Sequence, residues 1–203
     1  MKQLLLLILS LLVITPTVMA TTHKKKKKPA AAAVAKQDDT AIRWISIDEL
    51  QVKMKESPRK VYMDVYTDWC GWCKRMDATT FQNPYVIKYL NDNFYCVRFN
   101  AETKEPIHFM GKDYNFSPQN RANELAVQFL QGNMSYPTSV LMEKYFTATI
   151  PAPGYHPVPE MEMILKFVAE DVYKKESFQD YQKNFQGAWK ETAGASNLPP
   201  VTH

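Results

Sequence analysis

Hydrophobic and polar positions change period several times along this chain, and each change marks an element. "SIDELQVKMKES" reads as a helix: Ser46 can cap it, Glu49 three residues on completes a capping box, and Pro58 ends it. "KVYMDVYT" follows, a β-branched and aromatic run of strand length. "WCKRMDATTF" predicts a helix, and "NPYVIKYLNDNF" a second, with Asn83 as cap and Pro84 at its first position. "FYCVRFNAE" predicts a strand, and "IHFMGKDYNF" alternates around Gly111 as a hairpin. "NRANELAVQFLQG" predicts a helix closed by Gly132. "YPTSVLME" is a strand entered through a proline, with "FTATI" as its antiparallel partner. "PEMEMILKFVAEDVY" has the three-and-four spacing of a buried helix face. The order is α–β–α–α–β–hairpin–α–β–β–α without internal repeat, which gives an α/β fold with a central mixed β-sheet flanked by helices.

The termini follow a different pattern. Residues 1–20 combine Lys2, the apolar run "LLLLILSLLVI" and a small-residue end at Ala20, the layout of a cleaved signal peptide. That apolar run is short for a bilayer crossing, which takes ~20 residues. A periplasmic or secreted protein is expected. Residues 21–40 contain five consecutive lysines and an alanine run, and read as a solvated linker. The folded domain is expected over 41–175, with an insert at about 103–123 that is either packing over the sheet edge or a lid or partner surface. Residues 176–203 should hold a final helix, with Phe178, Tyr181 and Phe185 as one aromatic stripe, and a disordered tail.

Charge changes the picture only by exclusion. The chain carries a formal +4, but from Thr40 onward there are 18 Lys and Arg against 19 Asp and Glu. The excess lies in the tail, chiefly Lys24 to Lys28, so the folded part offers no case for nucleic-acid binding.

The chemistry concentrates in "TDWCGWCKRM", where Cys70 and Cys73 stand two residues apart. Such a pair can be a redox dithiol, half of a zinc site or a structural disulfide. Zinc needs two more ligands, and Cys96 with four scattered histidines shows no ligand spacing. A structural bridge across so short a loop adds little by loop closure. As a dithiol, the pair divides its roles. Cys70 at a helix N-terminus is favoured as thiolate by free backbone N–H groups and the helix dipole, which lowers its pKa toward ~7 or below. Cys73, one turn further in, would stay protonated and resolve the mixed disulfide. Asp64 on a buried strand is costly unless it has a task or a partner. Either it accepts the proton of Cys73, or it is a core acid paired with Arg98 on the next strand. Cys96 reads as a buried apolar residue, and His108 and His156 stand alone.

These residues resemble the thioredoxin-fold family, in particular its envelope-targeted thiol–disulfide oxidoreductases. The likeness rests on "VYMDVYTDWCGWC" with Trp69 before the first cysteine, on Asp64 six residues before Cys70, and on "SYPT" where thioredoxins place a cis-proline. It covers about Trp44 to Tyr173. Departures are Trp72 in place of proline, the inserted β-hairpin and the C-terminal helical extension. The resemblance implies a thioredoxin fold and a proton-transfer role for Asp64. It also implies a substrate groove at Tyr136, Pro137 and Thr138, where the backbone before a cis-proline pairs with an extended polypeptide. Trp69, Gly71 and Trp72 would form the other rim. No cofactor and no metal are expected. Implied partners are polypeptides with cysteines or disulfides, and a membrane-bound or envelope redox donor. The enzyme is expected to be a monomer, with the reductase direction favoured over oxidase or isomerase. A non-catalytic peptide-binding module of the same fold is the reading from another class.

Overall fold

The computed structural model describes residues 40–193 and 201. The expected signal peptide, nearly all of the linker, and the end of the tail lie outside the described residues. The elements are β1 (Trp44–Ile45), α1 (Ile47–Glu56), β2 (Lys60–Tyr66), α2 (Gly71–Ala78), α3 (Pro84–Asn93) and β3 (Phe94–Asn100). The insert contributes β4 (Ile107–Phe109), β5 (Lys112–Tyr114), β6 (Phe116–Ser117) and β7 (Ala122–Asn123). Then come α4 (Glu124–Phe129), β8 (Thr138–Met142), β9 (Thr149–Pro153), α5 (Val158–Ala169) and α6 (Phe178–Asn184).

Five strands form the central sheet in the order β1-β3-β2-β8-β9. β1 and β2 run parallel to β3, whereas β8 is antiparallel to β2 and to β9. This mixed sheet with flanking helices is the thioredoxin fold. Its two faces are separately packed. Val61, Met63 and Val65 of β2 meet α1, α4 and the insert, through Leu50, Phe109, Leu125 and Phe129. Tyr62 and Cys96 face the other way, among Met76, Leu90, Met161 and Leu165 from α2, α3 and α5. The period of two along β2 therefore divides the core, and it puts Asp64 on the same side as Tyr62.

Local signals explain the element ends. Ser46 and Glu49 form the full capping box on α1, and the Asn83 side chain accepts from Tyr85 N at 3.0 Å to start α3. Four expectations shift. β1 was not anticipated from its two residues. α2 stops at Ala78 rather than Phe81, because the Thr79 hydroxyl turns back to Arg75 O (2.8 Å) and a 3-10 turn follows at Thr80–Gln82. α4 begins at Glu124, since Ala122–Asn123 pairs with β6 and the Asn123 side chain caps Leu125 N. The partner of β8 is Thr149–Pro153 rather than Phe146–Ile150. Tyr145 and Phe146 adopt left-handed backbone conformations, and the strand starts after that turn. Pro151 and Pro153 made the sequence look unlike a strand. They are tolerated because β9 is an edge, where missing N–H donors cost no ladder bond.

The insert is anchored in the core by three of its apolar residues. Phe109, Tyr114 and Ala122 are buried against α4 and the sheet. Past α6, whose Phe178 and Tyr181 pack on Phe167, the chain continues across the domain. Glu162, wholly buried, accepts from Ala188 N and Trp189 N, each at 2.8 Å, and from Lys166 Nζ. Trp189 stacks on Tyr85 and meets the edge of Tyr89.

Candidate active site

β2 leads directly into the dithiol. Tyr66 ends the strand, Thr67–Trp69 turn, and the carbonyl of Thr67 accepts from Cys70 N at 3.2 Å. Cys70 is the N-cap of α2 rather than a residue of its first turn, and its sulfur accepts from Cys73 N at 3.0 Å. The sulfur is thus held where an unpaired helix N–H favours negative charge. Gly71 is the first residue of the helix. Cys70 and Cys73 are joined in a disulfide with Cα atoms 5.3 Å apart, and both are nearly buried. Among the described residues no cluster of His, Cys, Asp and Glu has the makings of a metal site.

Asp64 lies under α2 and pairs in register with Arg98 on β3 and Ser139 on β8. Its Oδ2 accepts from Arg98 Nε at 3.2 Å, while Oδ1 is buried without a hydrogen-bond partner. Arg98 is shared: Nη2 donates to Asp77 Oδ2 on α2 at 3.0 Å, and the guanidinium lies over the Tyr66 ring at 4.5 Å. Burial pushes the Asp64 carboxyl up to about 7, against the pull of Arg98 and with help from Asp77. Asp64 thus has the arginine partner of the second reading, and desolvation still outweighs that partner's pull. Ser139 is satisfied by the Tyr62 hydroxyl at 2.8 Å.

Tyr136–Pro137 is a cis peptide. The Thr138 hydroxyl donates to Ser135 O at 2.8 Å, so this buried side chain braces the turn from within. Gly154 N donates to Pro137 O at 2.8 Å, from the loop after β9. Among the described residues the backbone N–H and C=O of Tyr136 make no hydrogen bond. Burial and Glu102 push the Tyr136 phenol up to about 12.

The expected aromatic residues are here, arranged differently. Trp69 is 65% exposed and meets the Tyr136 ring edge-on at 5.9 Å. The residue before Cys70 thus touches the residue before Pro137. Trp72 does not share that rim. It packs on Tyr155, ring centroids 5.4 Å apart, on the loop after β9. Tyr155 is the site residue that sequence reasoning missed; its only signal was an aromatic residue in a Gly- and Pro-rich bend. Cys96 is buried, with its thiol pushed up to about 12 by desolvation. His108 pairs with Asp113 on the exposed hairpin, and buried His156 lies against Ala152 O at 3.0 Å.

A family model, Thioredox_DsbH, described as a protein of unknown function, DUF255, matches residues 24–193. Over 55 residues the chain is 31% identical to the mouse spermatogenesis-associated protein 20, and 29% identical to the uncharacterized protein B0495.5 of Caenorhabditis elegans. Each match takes in 27% of this chain, 7% of the mouse protein and 8% of the worm protein. Among solved structures, a thioredoxin-fold protein from Helicobacter pylori aligns with TM-score 0.49 and 20% identity, over 71% of this chain and 86% of that one. A DsbH oxidoreductase aligns with TM-score 0.37 and 18% identity, over 68% and 85%.

Proposed function

The chain belongs to the Thioredox_DsbH family, and from that premise we propose that it is a thiol–disulfide oxidoreductase of the bacterial envelope acting on polypeptide cysteines, in the reducing direction. The observation that carries the reading is the meeting of two features: a dithiol whose first sulfur caps a helix, and unpaired backbone at Tyr136 reached through the Trp69–Tyr136 contact.

The chemistry follows from those positions. In the reduced protein, the Cys70 thiolate attacks one sulfur of a substrate disulfide. A Cys70–substrate disulfide forms, and the other substrate sulfur leaves as thiolate and takes a proton from solvent. Cys73 then gives its proton to Asp64 and attacks the Cys70 sulfur. The Cys70–Cys73 disulfide closes, the second substrate thiolate departs, and two electrons have passed to the substrate. An external dithiol, the proposed envelope donor, returns the pair to the reduced state. The free N–H and C=O of Tyr136 would pair with the substrate backbone, as an added strand does.

Insulin reduction with dithiothreitol as donor tests this. Wild type should accelerate the appearance of reduced insulin B chain, and Cys70→Ser should not. Equal inertness of both would leave the peptide-binding module as the better reading. A reduction potential near −270 mV supports the reductase direction, and one near −120 mV an oxidase.

A further inference from the structure

We infer that Tyr155 is a positioning residue that holds Trp72 as the second wall of the substrate groove, and that the dithiol therefore favours disulfides flanked by a bulky apolar residue. This rests on the oxidoreductase reading and names the substrate class of the same site.

Three contacts fix the loop that carries Tyr155. Gly154, at φ +102°, donates its N–H to Pro137 O, which ties the loop to the cis-proline turn. The Tyr155 hydroxyl lies 3.1 Å from Thr79 Oγ1. Thr79 spends its single O–H proton on Arg75 O at 2.8 Å, so Tyr155 must be the donor to Thr79. Thr80 Oγ1 donates to His156 O at 2.7 Å, and the His156 side chain is buried. The segment 154–156 is thus bonded to both halves of the site, the proline turn on one side and the end of α2 on the other. Tyr155 lies along the α2 face that carries Trp72 and Thr79, seven residues or about two turns apart. Its ring meets Trp72 and its hydroxyl meets Thr79, so the indole is backed by a ring anchored at its far end.

Two aromatic pairs thus frame the dithiol, Trp69 with Tyr136 just before Cys70 in the chain and Trp72 with Tyr155 just after it. Trp69 and Trp72 stay 65% and 37% exposed, the aromatic surface that the inference assigns to a side chain beside the substrate cysteine.

The test uses pre-reduced protein and two synthetic peptides, each with one cysteine capped as a thionitrobenzoate mixed disulfide. They differ in one residue next to the cysteine, Phe in one and Ser in the other. Release of thionitrobenzoate gives a half-saturation concentration and a limiting rate for each. Wild type should saturate with the Phe peptide at lower concentration. Tyr155→Ala should collapse the ratio of the two half-saturation concentrations by roughly threefold to tenfold, the worth of one aromatic pair. Tyr155→Phe and Thr79→Val should lower it part of the way, and they decide the matter if Tyr155→Ala does not fold. In a Trp72→Ala background, Tyr155→Ala should change the ratio no further. A ratio near one in wild type, or a loss that falls equally on both peptides, would overturn the inference. Wild type no faster than Cys70→Ser with either peptide would instead overturn the oxidoreductase reading beneath it.

Discussion

Asp64 is the residue at which competing effects can be ranked. Arg98 lowers its pKa, but Arg98 is divided between two carboxylates and partly solvated, whereas Asp64 is all but sealed. Desolvation therefore wins, and the carboxyl titrates at about 7 against 3.8 when exposed. The sign for stability follows. A carboxyl with a raised folded-state pKa favours the fold most below the unfolded value, and that contribution is lost as pH rises through about 7. Asp64→Asn should then unfold like wild type at pH 4 and below. It should be the more stable protein at pH 8, by something on the order of 2–4 kcal/mol in denaturant titrations. A constant difference across that window would contradict the assignment. The same substitution should slow closure of the Cys70–Cys73 disulfide at pH 7 by about a hundredfold, the low end of what a general base supplies, measured as resolution of a trapped mixed disulfide. Arg98→Met, which removes the pull on the carboxylate, should move the pH profile of that step upward.

At the scale of elements, two junctions carry separable consequences. The β4–β5 hairpin turns through Met110 and Gly111, both at positive φ, the geometry that Asn-Gly adopts with least strain. Met110 is 61% exposed and gains little from packing there. Met110→Asn should raise the thermal midpoint, with a gain of about 0.5–1 kcal/mol. The other junction is the clasp of Glu162 on the segment after α6. Glu162→Leu would leave the Ala188 and Trp189 N–H groups without their acceptor, at a cost of roughly 1–3 kcal/mol each where they stay desolvated. Limited proteolysis should then cut between α6 and Trp189 well before the rest of the domain. Dithiol activity should survive, because the clasp touches neither Trp wall. Gly187 belongs to it as well: a Cβ there would come within 2.9 Å of Glu162 Oε2.

For the whole molecule, the insert is the informative case. Its length left two readings open from sequence, a lid or packing. Burial of Phe109, Tyr114 and Ala122 makes it part of the cover for one sheet face. A chain lacking residues 104–121 should lose cooperative unfolding by circular dichroism, since truncating one buried Phe alone costs about 3–5 kcal/mol. A removable lid would leave the transition intact. Much of this architecture was legible beforehand, because caps at Ser46 and Asn83, the strand before Cys70 and the proline before β8 are local signals. The burial of Asp64, the pairing of Cys70 with Cys73 and the cis bond before Pro137 were legible for the same reason. What escaped was non-local. Two residues cannot announce β1, which exists only through β3. Pro151 and Pro153 argue against a strand until it is known to be an edge. Tyr155 and Trp189 matter through partners 83 and over a hundred residues away, Trp72 and Tyr85.

The sheet ends in β1, two residues long, on one side and in β9, with Pro151 and Pro153, on the other. Both are poor templates for a further strand. On the proposed function, polypeptide clients would present extended segments, and an open edge would hold them after the sulfur chemistry was done. Blunted at both margins, the sheet would offer a client no strand-pairing site beyond the backbone of Tyr136. Once the Cys70–Cys73 bond had closed and the covalent tether was gone, no sheet edge would retain the client. On that reading, turnover would depend on letting go, and the two prolines of β9 would serve departure as the cysteines serve arrival.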